Sequence, residues 1–165
     1  MSQAFPEREY PLQGLTEEVI AAAIEVHRQL GPGFVEKIYE NALVLELQTQ
    51  GHQVERQVTV DVSYRGQTVG QHPIDLLVDS EIVVELKSVE ALAAAHKAQL
   101  RSALKAAGKR VGLLMNFNRA TLKDGLRRVI NRVRRANVAS PAMPVGYCDL
   151  CVSVSQQERL VNGRA

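Results

Sequence analysis

Two apolar runs joined by a short polar turn, "IDLLVDSEIVVELKS" at residues 74–88, constrain this chain more than any other feature. Runs this short and rich in Val, Ile and Leu, bounded by polar residues, are expected to form buried β-strands. Yet Asp75, Glu85 and Lys87 lie inside them, and an ionised carboxylate in a low-dielectric interior is costly unless a partner or a metal compensates it. Alternate residues of a strand share a face, so Val83, Glu85 and Lys87 point one way while Ile82, Val84 and Leu86 point the other. Whether Asp75 joins Glu85 depends on register. If Asp79 and Ser80 form a two-residue turn, Asp75 opposes Val84 and faces away; if Asp79, Ser80 and Glu81 form a three-residue loop, it opposes Glu85. The three-residue loop is the expectation.

Two adjacent carboxylates repel each other and call for a cation between them. Oxygen donors with open positions suit Mg²⁺ or Mn²⁺, and such an ion grips a phosphate oxygen and acidifies a water, a general means of cutting a phosphodiester. Lys87 is placed to orient that water or to neutralise the phosphate. The plainer alternative is a solvated strand face on which Glu85 and Lys87 simply pair. Spacing alone leaves both open.

The remaining pattern supplies the frame. Residues 16–30 read as a helix with Thr16 as N-cap and Ile20, Ile24, His27 and Leu30 at helical spacing, stopped by "GPG" at 31–33. A second helix is expected from about Phe34 to Gln50, with a core stripe of Val35, Ile38, Ala42 and Leu45. Glu36 falls off that stripe with Tyr39, Leu43 and Leu47, on a second, partly apolar face where it is expected to be half-buried. From Val54 the period becomes two, giving a hairpin with its turn at Arg65 and Gly66 and with Gly70 and Pro73 as bulge or edge punctuation. The strand "IVVELKS" is followed by an Ala-rich helix from about Val89 to Ala107 and by the strand "VGLLMNF", a crossover that makes these two strands parallel. A basic helix is expected from about Thr121 to Arg135. The order is therefore ααβββαβα, an α/β mixed sheet flanked by helices. One domain should fill residues 1–135, with 136–165 as a C-terminal extension, edge strand or tail.

Composition narrows the function classes. No charged-then-apolar leader and no bilayer-length apolar run is evident, so a soluble cytoplasmic protein without membrane contact is expected. Cys148 and Cys151 form a lone CxxC, half of a four-thiolate zinc site, and read best as free thiols. The net charge of +2 conceals a division: residues 97–135 hold twelve of the twenty Lys and Arg against one acid, Asp124. Such asymmetry suggests a face built for a polyanion. Aromatic residues are only 4% of the chain, with no Trp, which disfavours an extended base-stacking platform.

Gly33, Glu36 and Tyr39 fit the pattern that names the GxxExxY family, and Asp75 followed by Glu85-Leu86-Lys87 resembles the core motif of the PD-(D/E)XK nuclease superfamily to which that family is assigned. The likeness extends over about residues 12–132 and includes "VHRQLGPG", "HKAQL" and "GLLMNFN". It implies a restriction-endonuclease-like α/β core, a Mg²⁺- or Mn²⁺-dependent phosphodiesterase acting on nucleic acid, Glu36, Asp75 and Glu85 as metal ligands, the Leu86 carbonyl as a further ligand, and Lys87 as catalytic lysine. Related nucleases often carry a glutamine with a tyrosine four residues on; here Gln99 is followed by Ala103. The superfamily's proline-aspartate pair is loosened to Pro73-Ile74-Asp75.

Supporting candidates are Tyr39 beside Glu36, Gln99 as a hydrogen-bond donor to a ligand or phosphate, and His27, which on an apolar helix face reads more simply as a hydrogen-bonded core residue. Arg119, Lys123, Arg127, Arg128 and Arg132 are candidates for phosphate contacts. The expected function is a metal-dependent nuclease, with DNA favoured over RNA and room for a homodimer. The alternatives are a non-catalytic nucleic-acid-binding or regulatory module on the same fold and an adaptor for an acidic protein.

Overall fold

The computed structural model describes residues 11–131. Two helices, α1 (Gln13–Leu30) and α2 (Glu36–Thr49), precede a long hairpin of β1 (Val54–Tyr64) and β2 (Gln67–Val78). Then come β3 (Ile82–Lys87), α3 (Ala94–Ala107), β4 (Val111–Asn116), a single turn α4 (Leu122–Gly125) and β5 (Leu126–Ile130). The strands form one mixed sheet in chain order, β1 to β5. Pairing is antiparallel except between β3 and β4, which are parallel, as the α3 crossover requires.

The sheet is covered on both faces, which is why β3 and β4 read as nearly continuous apolar runs. Leu76, Val78, Ile82, Val84 and Leu86 pack with Val19, Ala23 and Val26 of α1 and Tyr39, Leu43 and Leu47 of α2. On the other face Leu77, Val83 and Leu114 meet Leu100, Ala103 and Leu104 of α3.

The hairpin between β2 and β3 uses the three-residue loop. Val78 pairs with Ile82, Leu77 with Val83 and Leu76 with Val84, and the same register extended by one pair sets Asp75 against Glu85. Asp79 and Ser80 both adopt positive φ, 49° and 55°. Asp79 fixes the loop: its backbone N–H donates to the Gln53 carbonyl at 2.8 Å, and its carboxylate accepts the Gln53 N–H and meets His52 Nδ1, each at 2.8 Å. Lys109 Nζ donates to the Ser80 carbonyl at 2.6 Å. The longer β1–β2 ladder carries an irregularity after Val62, whose partner is the expected Gly70, and Pro73 pairs with Thr59, outside the stretch of β2 that bonds to β3.

Four expectations are corrected. The basic helix over 121–135 is instead the α4 turn followed by β5, which pairs with β4 from Ile130–Val111 to Leu126–Met115. Arginines at i and i+1 imitate a helical polar face, but a free β4 edge beside β-branched Val129 and Ile130 decides for strand. Arg132 and the C-terminal extension lie outside the described residues. The core stripe of α2 is inverted: Tyr39, Leu43 and Leu47 are fully buried, whereas Val35 and Leu45 are 66% and 67% exposed. Thr16 is inside α1, its hydroxyl donating to the Leu12 carbonyl at 2.6 Å, and Leu12 takes the cap position. Finally, α3 starts at Ala94, leaving residues 88–93 as an irregular passage out of β3.

Candidate active site

Asp75, Glu85 and Lys87 meet where β2 and β3 run side by side. Asp75 Oδ2 accepts the backbone N–H of Leu86 at 2.9 Å, which turns that carboxylate across the strand boundary toward Glu85. Lys87 Nζ donates to Glu85 Oε1 at 2.8 Å and to the Leu86 carbonyl at 2.7 Å. Glu85 is buried and Lys87 is 16% exposed at its side chain. A single ammonium thus serves both a carboxylate and the neighbouring main-chain oxygen.

Glu36 enters from the first residue of α2. Burial pushes its carboxyl above the ordinary carboxylate range; the Lys87 ammonium opposes that shift, and the like charges of Asp75 and Glu85 reinforce it. For Lys87, burial favours the neutral amine, but the Glu85 hydrogen bond and charge, with Glu36 and Asp75, outweigh it and raise the ammonium's pKa above its usual value. Three carboxylates therefore share the field of one lysine. This is a site with excess negative charge.

The loop that delivers Glu36 is tightly tied. Gly33 has φ of 112°, which a side chain would strain. Tyr39 is fully buried; its hydroxyl donates to the Gly31 carbonyl at 2.7 Å and accepts the Phe34 N–H at 3.1 Å, while its ring stacks on Phe117 at 4.5 Å. Ser88 Oγ, adjacent to Lys87, donates to the Phe34 carbonyl at 2.7 Å. Gly33, Glu36 and Tyr39 thus divide the work into turn, charge and clamp. Ser88 was missed in the sequence, where nothing marks it except its place after Lys87.

Other expected residues are placed differently. His27 is buried and bonds through Nε2 to the Arg119 carbonyl at 2.9 Å, so it holds the segment after β4 rather than an acid of the cluster. Gln99 is exposed on α3, while Ala103, four residues on, is buried in the core. Asn116, fully buried next to Lys87 in the parallel ladder, spans Val89 with both amide atoms: its Oδ1 accepts the Val89 N–H at 3.1 Å and its Nδ2 donates to the Val89 carbonyl at 2.7 Å. That clamp steers the chain out of β3 and had no reading in the sequence. Arg119 and Arg127, with Asn116 and Asp124, line a cleft of about 190 Å³ beside it. Arg119 Nη1 donates to the Glu90 carbonyl, and Arg127 Nη1 to the carbonyls of Asp124 and Leu126. Lys123 is exposed on α4, and Arg128 is turned inward, its Nη2 bonding to the Pro11 carbonyl at 2.6 Å.

Among the described residues, no three His, Cys, Asp or Glu side chains stand together as a preformed cage. The Glu85 carboxylate and the Leu86 carbonyl nevertheless meet one ammonium, with the Asp75 carboxylate bonded to the Leu86 N–H beside them, the hard-oxygen chemistry that suits a largely hydrated Mg²⁺. The residues fit such an ion with Asp75, Glu85 and the Leu86 carbonyl as its holders and Glu36 as a nearby charge.

A mixed sheet sandwiched between helices, with an Asp on one strand and Glu-x-Lys on the next, defines a restriction-endonuclease-like α/β scaffold. The chain belongs to the PD-(D/E)XK nuclease superfamily, whose family model matches residues 13–129. That superfamily consists in general of phosphodiesterases that act on nucleic acid, and it carries nuclease-type function to this chain. A search of curated proteins finds no match. No helix among the described residues is long and apolar enough to cross a membrane.

Proposed function

We propose that the protein is a Mg²⁺- or Mn²⁺-dependent nuclease of the GxxExxY group that hydrolyses phosphodiester bonds, with DNA as its substrate. The observation that carries this reading is the register of β2 on β3, which brings Asp75 and Glu85 to one place with Lys87 hydrogen-bonded between Glu85 and the Leu86 carbonyl. A merely solvated strand face would leave these groups exposed; here they are half-buried or buried and need a cation. A divalent ion held by Asp75, Glu85 and the Leu86 carbonyl would supply Lewis-acid stabilisation of the phosphate and a more acidic water.

The chain's own residues do the rest. Lys87 directs an N–H toward the attacking water and offsets charge on the phosphate, while Glu85 first, and Glu36 and Asp75 after it, favour its ammonium form. The water oxygen gives up a proton to solvent and forms the new bond to phosphorus, the bond to the departing sugar oxygen breaks, and that oxygen takes up a proton from solvent. Arg119, Lys123 and Arg127 hold flanking phosphates.

The test compares the wild-type protein with Asp75→Ala and Lys87→Ala on labelled single- and double-stranded DNA and RNA, with Mg²⁺, Mn²⁺ or chelator. Wild-type cleavage that needs the metal and falls by about 10²–10⁴-fold in either variant is expected. Equal degradation by all three proteins would mark contamination. No cleavage by any of them, with salt-sensitive binding retained, would replace the enzyme by a binding module.

A further inference from the structure

A second cavity adjoins the acid cluster. It has a volume of about 350 Å³ and is lined by Gly33, Phe34, Val35, Glu36, Ser88 and Asn118. Glu36 belongs to both places, and Ser88 directly follows Lys87 in the chain. A phosphate seated at Lys87 therefore has this cleft as its immediate neighbour.

Its walls are unlike the rest of the site. Phe34 is 45% exposed, although the chain holds only three Phe and no Trp. Its backbone is anchored on both sides, the N–H to the Tyr39 hydroxyl at 3.1 Å and the carbonyl to Ser88 Oγ at 2.7 Å, which holds the base of the side chain at the cleft. The Phe34 and Tyr39 rings form a T-shaped pair with centroids 6.2 Å apart at 71°. The segment that carries Asn118 also lines the cleft. It is fixed by the Phe117 N–H on the Lys87 carbonyl at 2.9 Å, the Asn118 N–H on Asn116 Oδ1 at 3.2 Å, and His27 on the Arg119 carbonyl. The cleft lining thus includes an exposed aromatic ring and an amide-bearing residue.

We propose that this cleft is a nucleobase subsite: Phe34 stacks on the base of the nucleotide next to the scissile phosphate, and the Asn118 amide meets its polar edge. The inference rests on the nuclease reading, and it adds a substrate class. A base inside an intact duplex is already paired and stacked, so the cleft accepts an unpaired nucleotide from a single strand, flap or frayed end. The stacking is confined to one base, since every base has a π-face but, among the described residues, a single aromatic ring lines this cleft. A protein partner seated on Phe34 and the neighbouring exposed Val35 is the competing occupant; the polar Ser88, Glu36 and Asn118 in the same cleft speak for a base instead.

The test is an abasic scan. A labelled single-stranded oligodeoxynucleotide, with one abasic residue moved through each position in turn, is bound to full-length Lys87→Ala protein in Mg²⁺. Binding weakens about tenfold at one position, the size of one lost stacking contact. Phe34→Ala in the same background removes that positional dip, Phe34→Trp keeps it, and the duplex form of the oligonucleotide shows none. A flat scan in the Lys87→Ala protein, or a dip that survives Phe34→Ala, overturns the subsite. So does a Phe34→Ala variant that keeps the dip while sedimenting as a smaller species, which would make the ring an interface residue. Lys87-dependent cleavage by the wild-type protein with a flat scan refutes the subsite alone; a positional dip without any wild-type cleavage refutes the nuclease reading and leaves the subsite standing.

Discussion

Glu40 shows how a charge can serve the frame instead of the chemistry. It is buried on α2, and Lys37 Nζ reaches both of its oxygens at 2.8 and 3.0 Å. Arg56 of β1 meets Oε1 through Nε and Nη2 at 3.0 and 2.8 Å, so the carboxylate ties α2 to the sheet. Burial raises its pKa, but the hydrogen bonds and charges of Lys37 and Arg56 together outweigh burial and leave it below the ordinary value. A carboxylate depressed in the folded state stabilises fully above its unfolded pKa, about 4.3 for Glu, and that contribution is lost as the pH falls through the lower folded value. Glu40→Gln should therefore cost about 1–3 kcal/mol at neutral pH and flatten the acid limb of stability below about pH 4. Denaturant titrations at a series of pH values check both; an unchanged acid limb would mean that Glu40 does not carry the dependence. In the sequence Glu40 is one of many helix glutamates and nothing singles it out, whereas Asp75, Glu85 and Lys87 are conspicuous because they interrupt apolar strands. Charge is legible where the surrounding pattern forbids it and illegible where the pattern expects it.

At the scale of elements, strand β3, the α3 crossover and β4 were legible because period, length and turn residues all agree. The loop at Asp79–Glu81 was legible as well, since only one register aligns the acids. Deleting Ser80 leaves two residues between Val78 and Ile82, and the pairing must slip by one or fail. Asp75 then leaves the face of Glu85, and cleavage should fall to the level of Asp75→Ala while the melting temperature drops; wild-type cleavage by the deletion variant would contradict the register argument. Two misreadings share a physical cause. Both the face of α2 and the identity of β5 were decided by partners distant in sequence. The apolar stripe of Val35, Ile38 and Leu45 is as convincing as that of Tyr39, Leu43 and Leu47 until the sheet is placed. β5 became a strand because β4 offered an unpaired edge, and Gly125 lets the chain reach it. A Cβ at Gly125 would collide with the main-chain carbonyl of Asn116, which cannot yield as a side chain would. Gly125→Ala should cost about 1–3 kcal/mol and raise amide exchange along β5; wild-type protection there would show that the turn relaxes freely.

Across the whole molecule, the basic segment read in the sequence as one face is divided by the fold between two ends of the sheet. β3 runs toward Lys87 and α3 returns, so Lys105 and Lys109 lie at the end where Lys109 bonds to the Ser80 carbonyl ahead of β3. Arg119 lies at the other end, its guanidinium on the Glu90 carbonyl just past Lys87, and Arg127 shares a cleft with it and Asn116. A nucleic acid whose phosphate sits at Lys87 can be covered by the second group and not by the first. Each phosphate contact contributes about 0.9 to the slope of log K against log salt on duplex DNA and about 0.7 on single strands. Arg119→Ala and Arg127→Ala should therefore each lower that slope by about one contact's worth, weakening binding with little regard to sequence. Lys105→Ala and Lys109→Ala should leave it unchanged. Fluorescence anisotropy over a range of salt concentrations, in the Lys87→Ala background so that the substrate survives, measures all four. If the Lys105 and Lys109 variants flatten the slope while the arginine variants do not, the strand lies across the opposite end of the sheet, and the acid cluster at Lys87 cannot be where it is cut.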